Sequence, residues 1–111
     1  LVYCAGALAE VYEEIGGTVI YGGKPHAPIY DVALGTIDAR AGREIERGRI
    51  LAIGDGLKTD IAGANRQGID ALYIAGEGGV HSGAADDAAI MAALKEEGAF
   101  AAFAARGLTW R

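Results

Sequence analysis

The run "GRILAIGDGLKTD", residues 48–60, restricts what this chain can fold into more than any other stretch. Its apolar centre is too short for a helix and nearly continuous in hydrophobicity, the pattern of a parallel strand covered on both faces. The run stops at a carboxylate, Asp55, and a second carboxylate, Asp60, follows five positions later. Open α/β sheets bind ligands outside the carboxyl ends of their strands. A strand that closes on Asp55 therefore predicts a carboxylate at the mouth of a crevice.

The flanking sequence supplies the rest of an α/β pattern. Cys4, Leu8, Val11 and Ile15 form the stripe of a helix with one apolar face, ended by Gly16 and Gly17. "TVIYGG", residues 18–23, reads as a short β-branched strand, and Lys24 follows at once. From Pro28 to about Arg40, Ile29, Val32, Ala33 and Ile37 fall on one helical face, with Pro25 and Pro28 tolerated at its start. Thr59 or Asp60 can cap the next helix, which Gly68 ends. "IDALYIAG" repeats the strand pattern, and "GEGGVHSG" is a glycine-rich connection. Asp86 or Asp87 then opens a helix that turns Ile90, Ala93 and Leu94 toward a core. The tail "AFAAFAARGLTWR" is open between helix, from its alanines, and a final short strand at "GLTW". Strands alternating with helices predict βαβ units and a parallel sheet. Three strands make a thin sheet, below the usual four to six or so.

Composition narrows the function classes. A chain of 111 residues, 51% apolar and 23% charged, suits one small folded domain. A net charge of −5 and a pI near 4.9 speak against nucleic acid as a partner, which calls for a clustered basic face. The single cysteine excludes an internal disulfide framework and a cysteine-built zinc site, and fits a reducing cytoplasmic compartment. Cys4 itself is expected as a small buried hydrophobe on its helix. No window resembles a membrane span or a signal peptide, so a membrane partner is not expected. The opening "LVYCAGALAE" lacks a methionine, starts inside a helix, and reads as a cut end.

The chemistry gathers at the strand ends. Lys24 lies just beyond one predicted strand and Asp55 at the end of another, so one crevice can hold both. The loop "GLKT" can fold Asp55 and Asp60 toward one point. Two carboxylates at a crevice mouth suit Mg²⁺, which is held by one or two carboxylates plus waters and substrate phosphate oxygens. A nearby lysine suits a phosphate as a point charge. Together they make the electrostatic half of a phosphoryl-transfer site. The plain alternatives are an aspartate common to βα loops, a helix cap, and a solvated turn lysine. His26 reads as a loop or helix-start residue, and His81 has no spaced partner.

"GGKPHAPIYDVAL" followed by "ILAIGDGLKTDIAGANRQGIDALYIAGEGG" resembles the C-terminal portion of the haloacid dehalogenase superfamily, subfamily IIA, which holds the NagD-type sugar-phosphate and nucleotide phosphatases. The resemblance implies a Rossmann-like three-layer α/β/α fold with a parallel sheet. Residues 1–17 would be the last helix of an inserted cap, and residues 18–111 the returning half of the core. It implies a Mg²⁺-dependent phosphatase acting on a small phosphorylated metabolite through an aspartyl-phosphate, in a full-length protein open to homo-oligomerisation. Lys24 matches the lysine that stabilises the substrate phosphoryl group and the nucleophile's charge. Asp55 matches the first acid of the metal motif, a Mg²⁺ ligand, and Asp60 the second, which ligates the ion or orients its waters.

One departure is serious. The family's nucleophile is the first aspartate of an Asp-x-Asp motif, and none of the seven aspartates here (31, 38, 55, 60, 70, 86 and 87) has that spacing. The family's Ser or Thr strand is missing as well. A start cut from a longer protein accounts for both gaps and for the thin sheet, and the isolated chain is expected to be inactive and marginally stable. The rival reading is a non-catalytic Rossmann-like binding or regulatory module, in which Asp55 and Asp60 cap a helix and Lys24 is a surface turn. A dinucleotide-binding domain is disfavoured because Gly76, Gly78, Gly79 and Gly83 miss the Gly-x-Gly-x-x-Gly spacing.

Overall fold

A computed structural model describes residues 4–76 and 86–108. Its described residues hold four α-helices and three strands: two helices come first, and strand and helix alternate after them. Helix α1 spans Ala5–Glu14, α2 Ala27–Ala41, α3 Ala62–Arg66 and α4 Asp87–Glu96. The strands are β1 (Leu51–Gly54), β2 (Asp70–Ile74) and β3 (Phe103–Ala105). They form one sheet in the order β1-β2-β3, parallel at both pairings. The expected α/β, Rossmann-like parallel sheet is present.

The register explains where the core sits. Ala52 lies opposite Ala71, and Gly54 opposite Tyr73, which in turn faces Ala104. Side chains alternate across a strand, so Ala52, Ala71, Tyr73 and Ala75 share a face made mostly of small residues. Small side chains let helices approach closely. Leu57, Ile61 and Ala64, Leu34 of α2, and Ile90 and Leu94 of α4 all join Ala71, Tyr73 and Ala75 in one buried cluster. Full burial of a Leu or Ile is worth about 1.5–3 kcal/mol. The opposite face carries Leu51, Ile53 and Phe103, and all three are exposed.

Local chemistry fixes the joints. Gly68 turns left-handed at φ 65°, ending α3 and letting the Ile69 N–H reach the Ala64 carbonyl at 3.0 Å. Asp86 caps α4, its Oδ1 accepting from the Ala89 N–H at 2.8 Å. The Asn65 amide clamps Phe100 through two bonds of 2.8 Å, donating to its carbonyl and accepting from its N–H. That clamp leads the chain into β3.

Several expectations fail, each for a physical reason. Residues 18–23 form no strand: the segment finds no ladder partner among the described residues, and Ile20 is 92% exposed. The third strand is instead Phe103–Ala105, inside the ambiguous tail and ahead of "GLTW". Among the described residues β1 lies at the edge of the sheet, and the face with Leu51 and Ile53 is not covered. α1 forms as expected, but none of its residues is buried, and Cys4 is exposed at its N-cap. Neither Thr59 nor Asp60 is a cap: Gly56 is the N-cap of a π-helical turn over Leu57–Ile61, whose last residue, Ile61, is in turn the N-cap of α3. His81 and most of "GEGGVHSG" lie outside the described residues.

Candidate active site

Asp55 follows Gly54 at the carboxyl end of β1, and the next residue begins the helical turn. The Gly56 carbonyl accepts from the N–H groups of Asp60 and Ile61, at 2.8 and 3.1 Å. The turn buries Leu57 and Ile61, and leaves Lys58 and Thr59 outside. Between those two sets, Asp60 folds back over the end of β1. Its Oδ2 accepts from the Gly56 N–H at 3.0 Å. Its Cβ and Cγ occupy the space where a Cβ on Gly54 would stand, so glycine at 54 is what makes room for the carboxylate.

Lys24 comes from a separate element. It precedes His26, the N-cap of α2, through a cis peptide bond to Pro25. Its Nζ donates to Asp60 Oδ1 at 2.5 Å. The lysine side chain is 53% exposed and the aspartate 14%. The hydrogen bond to Asp60 pushes the Lys24 pKa up from the usual lysine value, burial opposes that, and the charges of Asp60 and Asp55 add to it. Burial raises the pKa of Tyr73, and the Asp55 charge raises it further. The field of Asp55 thus reaches both Lys24 and the strand beside it. The Tyr73 hydroxyl is buried with no hydrogen-bond partner among the described residues.

The structure therefore brings Lys24 and Asp60 into direct contact, with Asp55 next to them at the strand end. Both Asp60 oxygens are engaged, one by Lys24 and one by a backbone N–H. An ammonium has three donors, and Asp60 takes one. Lys24 also lines a cleft of about 550 Å³ that runs between α1 and residues 19–26, with Lys58 and Thr59 on its rim. A half-exposed cation held by Asp60 over the end of β1, facing such a cleft, can bind an anion. His26, read as a helix-start residue, is the α2 N-cap and stacks on Tyr21 at 4.7 Å.

Sequence reasoning missed two supports. Gly54 was legible only as a strand boundary, although a glycine directly before a carboxylate is a signal of close approach. Gly63, inside a helix, carries no sequence signal of its own; a Cβ there would meet the Tyr30 ring and hydroxyl. Among the described residues, no three His, Cys, Asp or Glu side chains cluster as a metal site.

The profile of the HAD-hydrolase-like family matches residues 21–100, which contain Lys24, Asp55 and Asp60. The chain belongs to this family of haloacid dehalogenase-like hydrolases. A haloacid dehalogenase-like hydrolase from Brucella suis is similar over 96% of this chain, at 38% identity and a TM-score of 0.73. A possible sugar phosphatase of the HAD superfamily from Cytophaga hutchinsonii is similar over 92% of it, at 25% identity and a TM-score of 0.66. The chain spans only 38% and 33% of those two proteins. No curated protein matches it significantly. Membership makes this a chain of a hydrolase family. No helix among the described residues is long and apolar enough to cross a membrane.

Proposed function

We propose that this chain supplies the cation-binding and phosphate-binding side of a Mg²⁺-dependent phosphomonoester hydrolase of subfamily IIA. The observation that carries the reading is the Lys24–Asp60 contact beside Asp55 at the carboxyl end of β1, with Lys24 itself on the wall of the cleft. The substrate is a small phosphorylated metabolite. Its phosphate lies at Lys24 and its remainder in the cleft against α1. The possible sugar phosphatase among the similar structures supports a sugar phosphate. Residues 1–17 are the end of a cap and residues 18–111 the later half of the core, in a cytoplasmic protein.

Each side chain has a distinct task. Lys24 offsets the negative charge of the phosphoryl oxygens and of the attacking carboxylate. Asp60 holds that ammonium with one oxygen and anchors itself to Gly56 with the other, so the cation is oriented before substrate arrives. Asp55, a hard oxygen donor at an open strand end, fits Mg²⁺, with waters, phosphate oxygens and donors from the rest of the whole protein completing the shell. When bound, the ion neutralises phosphoryl charge. The nucleophile is an aspartate elsewhere in the whole protein. It attacks phosphorus, the alcohol leaves, and water hydrolyses the aspartyl-phosphate.

The test is hydrolysis of a generic aryl phosphate by the whole protein, before and after chelation of divalent cations. Activity that needs Mg²⁺ supports the reading. No activity, together with an upstream coding region lacking Asp-x-Asp, would favour the non-catalytic binding module.

A further inference from the structure

Lys24 and Asp60 are 36 residues apart and sit on separate elements, so something must set the distance between those elements. The ion pair itself is a weak clamp, since one partner is half exposed to solvent. Helix α2, which Lys24 leads into, has one buried residue, Leu34. Its other sizeable apolar residues, Ile29, Val32 and Ile37, are exposed. What remains is Tyr30, one helical turn before Leu34 and half-buried against the core.

The tyrosine reaches the turn that carries Asp60. Its hydroxyl donates a long hydrogen bond, 3.4 Å, to the backbone carbonyl of Asp60, the residue whose carboxylate holds Lys24. The same hydroxyl and ring edge fill the notch above Gly63, where any Cβ would meet them. Glycine inside a helix is unfavourable relative to alanine, and the Tyr30 contact gives position 63 a packing reason for it. Burial raises the Tyr30 pKa, with Asp60 adding to the rise and Lys24 opposing it, which agrees with a hydroxyl placed close to both charges.

We propose that Tyr30 is a positioning residue for the phosphate site: wedged between Gly63 and the Asp60 backbone, it sets the spacing between the start of α2 and the Asp60 turn, and so aims the Lys24 ammonium. This rests on Lys24 as the phosphate-binding group. A cation already aimed loses less orientational freedom when the anion binds, so the effect is read in phosphate affinity.

The experiment is inhibition of the whole protein by inorganic phosphate, across a double-mutant cycle. Lys24→Met weakens inhibition; if it does not, the parent assignment of Lys24 falls, and this proposal with it. In the Lys24 background, Tyr30→Ala and Gly63→Ala each weaken inhibition roughly fivefold, within the coupling scale of residues that share one network, here through Asp60. In the Lys24→Met background the same two changes have no further effect, because no ammonium remains to be aimed. Tyr30→Phe, which keeps the ring in its notch, recovers most of the affinity. If Lys24→Met weakens inhibition but Tyr30→Ala and Gly63→Ala act equally in both backgrounds, or in neither, Tyr30 is a packing residue only and the proposal is overturned. Should Tyr30→Ala fail to fold, Gly63→Ala and Tyr30→Phe complete the cycle.

Discussion

Two helical regions of this chain carry similar apolar stripes and meet opposite fates. Along residues 57–64, Leu57, Ile61 and Ala64 are buried, and Ile61 is entirely closed to solvent. Along α1 and its C-cap, Leu8, Val11 and Ile15 repeat at helical spacing, yet Ile15 is 77% exposed and nothing in the helix is buried. The difference lies in what stands opposite. The first stripe faces the small-residue side of the sheet at Ala71, Tyr73 and Ala75, where backbone and side chain can approach. The second meets no such surface among the described residues: the α1 residues that line the cleft are Ala5, Gly6, Ala9 and Glu10, off the stripe. An amphipathic pattern states that a helix has a face to bury; it does not state that a surface is there to receive it.

That contrast can be broken by substitution. Asp55→Asn in the whole protein should have the largest effect, a loss of Mg²⁺-dependent aryl phosphate hydrolysis of about a hundredfold or more, the scale for removing a charge-stabilising group. Retained activity would separate the buried turn from any metal role. Ile61→Ala should cost this chain about 2–5 kcal/mol in chemical denaturation, because it opens a cavity in the core. Gly54→Ala should cost about 1–3 kcal/mol by overpacking, since the added Cβ competes with Asp60 for one volume. It should also weaken phosphate inhibition of the whole protein, and an unchanged inhibition constant would show that Asp60 can relocate at no cost.

The ion pair gives a smaller effect with a definite sign. Lys24 holds its proton more tightly when folded, owing first to the hydrogen bond from its ammonium to Asp60. Its contribution is therefore complete below the ordinary lysine value near ~10.4 and is lost as pH rises through the folded value. Stability measured across that alkaline window should fall more steeply for the native chain than for Lys24→Met. Parallel curves would mean that the pair adds nothing to folding, a common result for exposed pairs. Val11→Ala should be the mildest change, within about 0.5 kcal/mol, and a larger loss would show that α1 is more closely packed than its exposure indicates.

The candidate site was legible in the sequence to the extent that its logic is local. Asp55 at a strand end and Asp60 five residues on could be read from one short run, because strand, loop and turn follow each other there without a break. The sequence placed Lys24 with Asp55, in a crevice shared by two strand ends, and left the Lys24–Asp60 contact unread. The structure supplies the contact although the first of those strands does not form. Tyr30 and Gly63 were not legible: their contact joins two helices, and neither residue departs from the ordinary pattern of its own helix strongly enough to announce it. β3 was hidden for another reason. Alanine-rich sequence favours helix by propensity, and "FAA" becomes strand because β2 offers a ladder and the Asn65 clamp delivers the chain to it.

By itself the sequence determined the helix–strand alternation from α2 to α4, the carboxylate at the end of β1 with a second in the turn after it, and the lysine ahead of α2, since each follows from periodicity, glycine placement and chain order. Only the tertiary structure decided which apolar stripe is buried, which tail residues pair as a strand, and that Asp60 turns both oxygens inward to a lysine and a backbone N–H. Those outcomes depend on which surfaces lie opposite each other, and contact between residues distant in sequence is information that no local pattern contains.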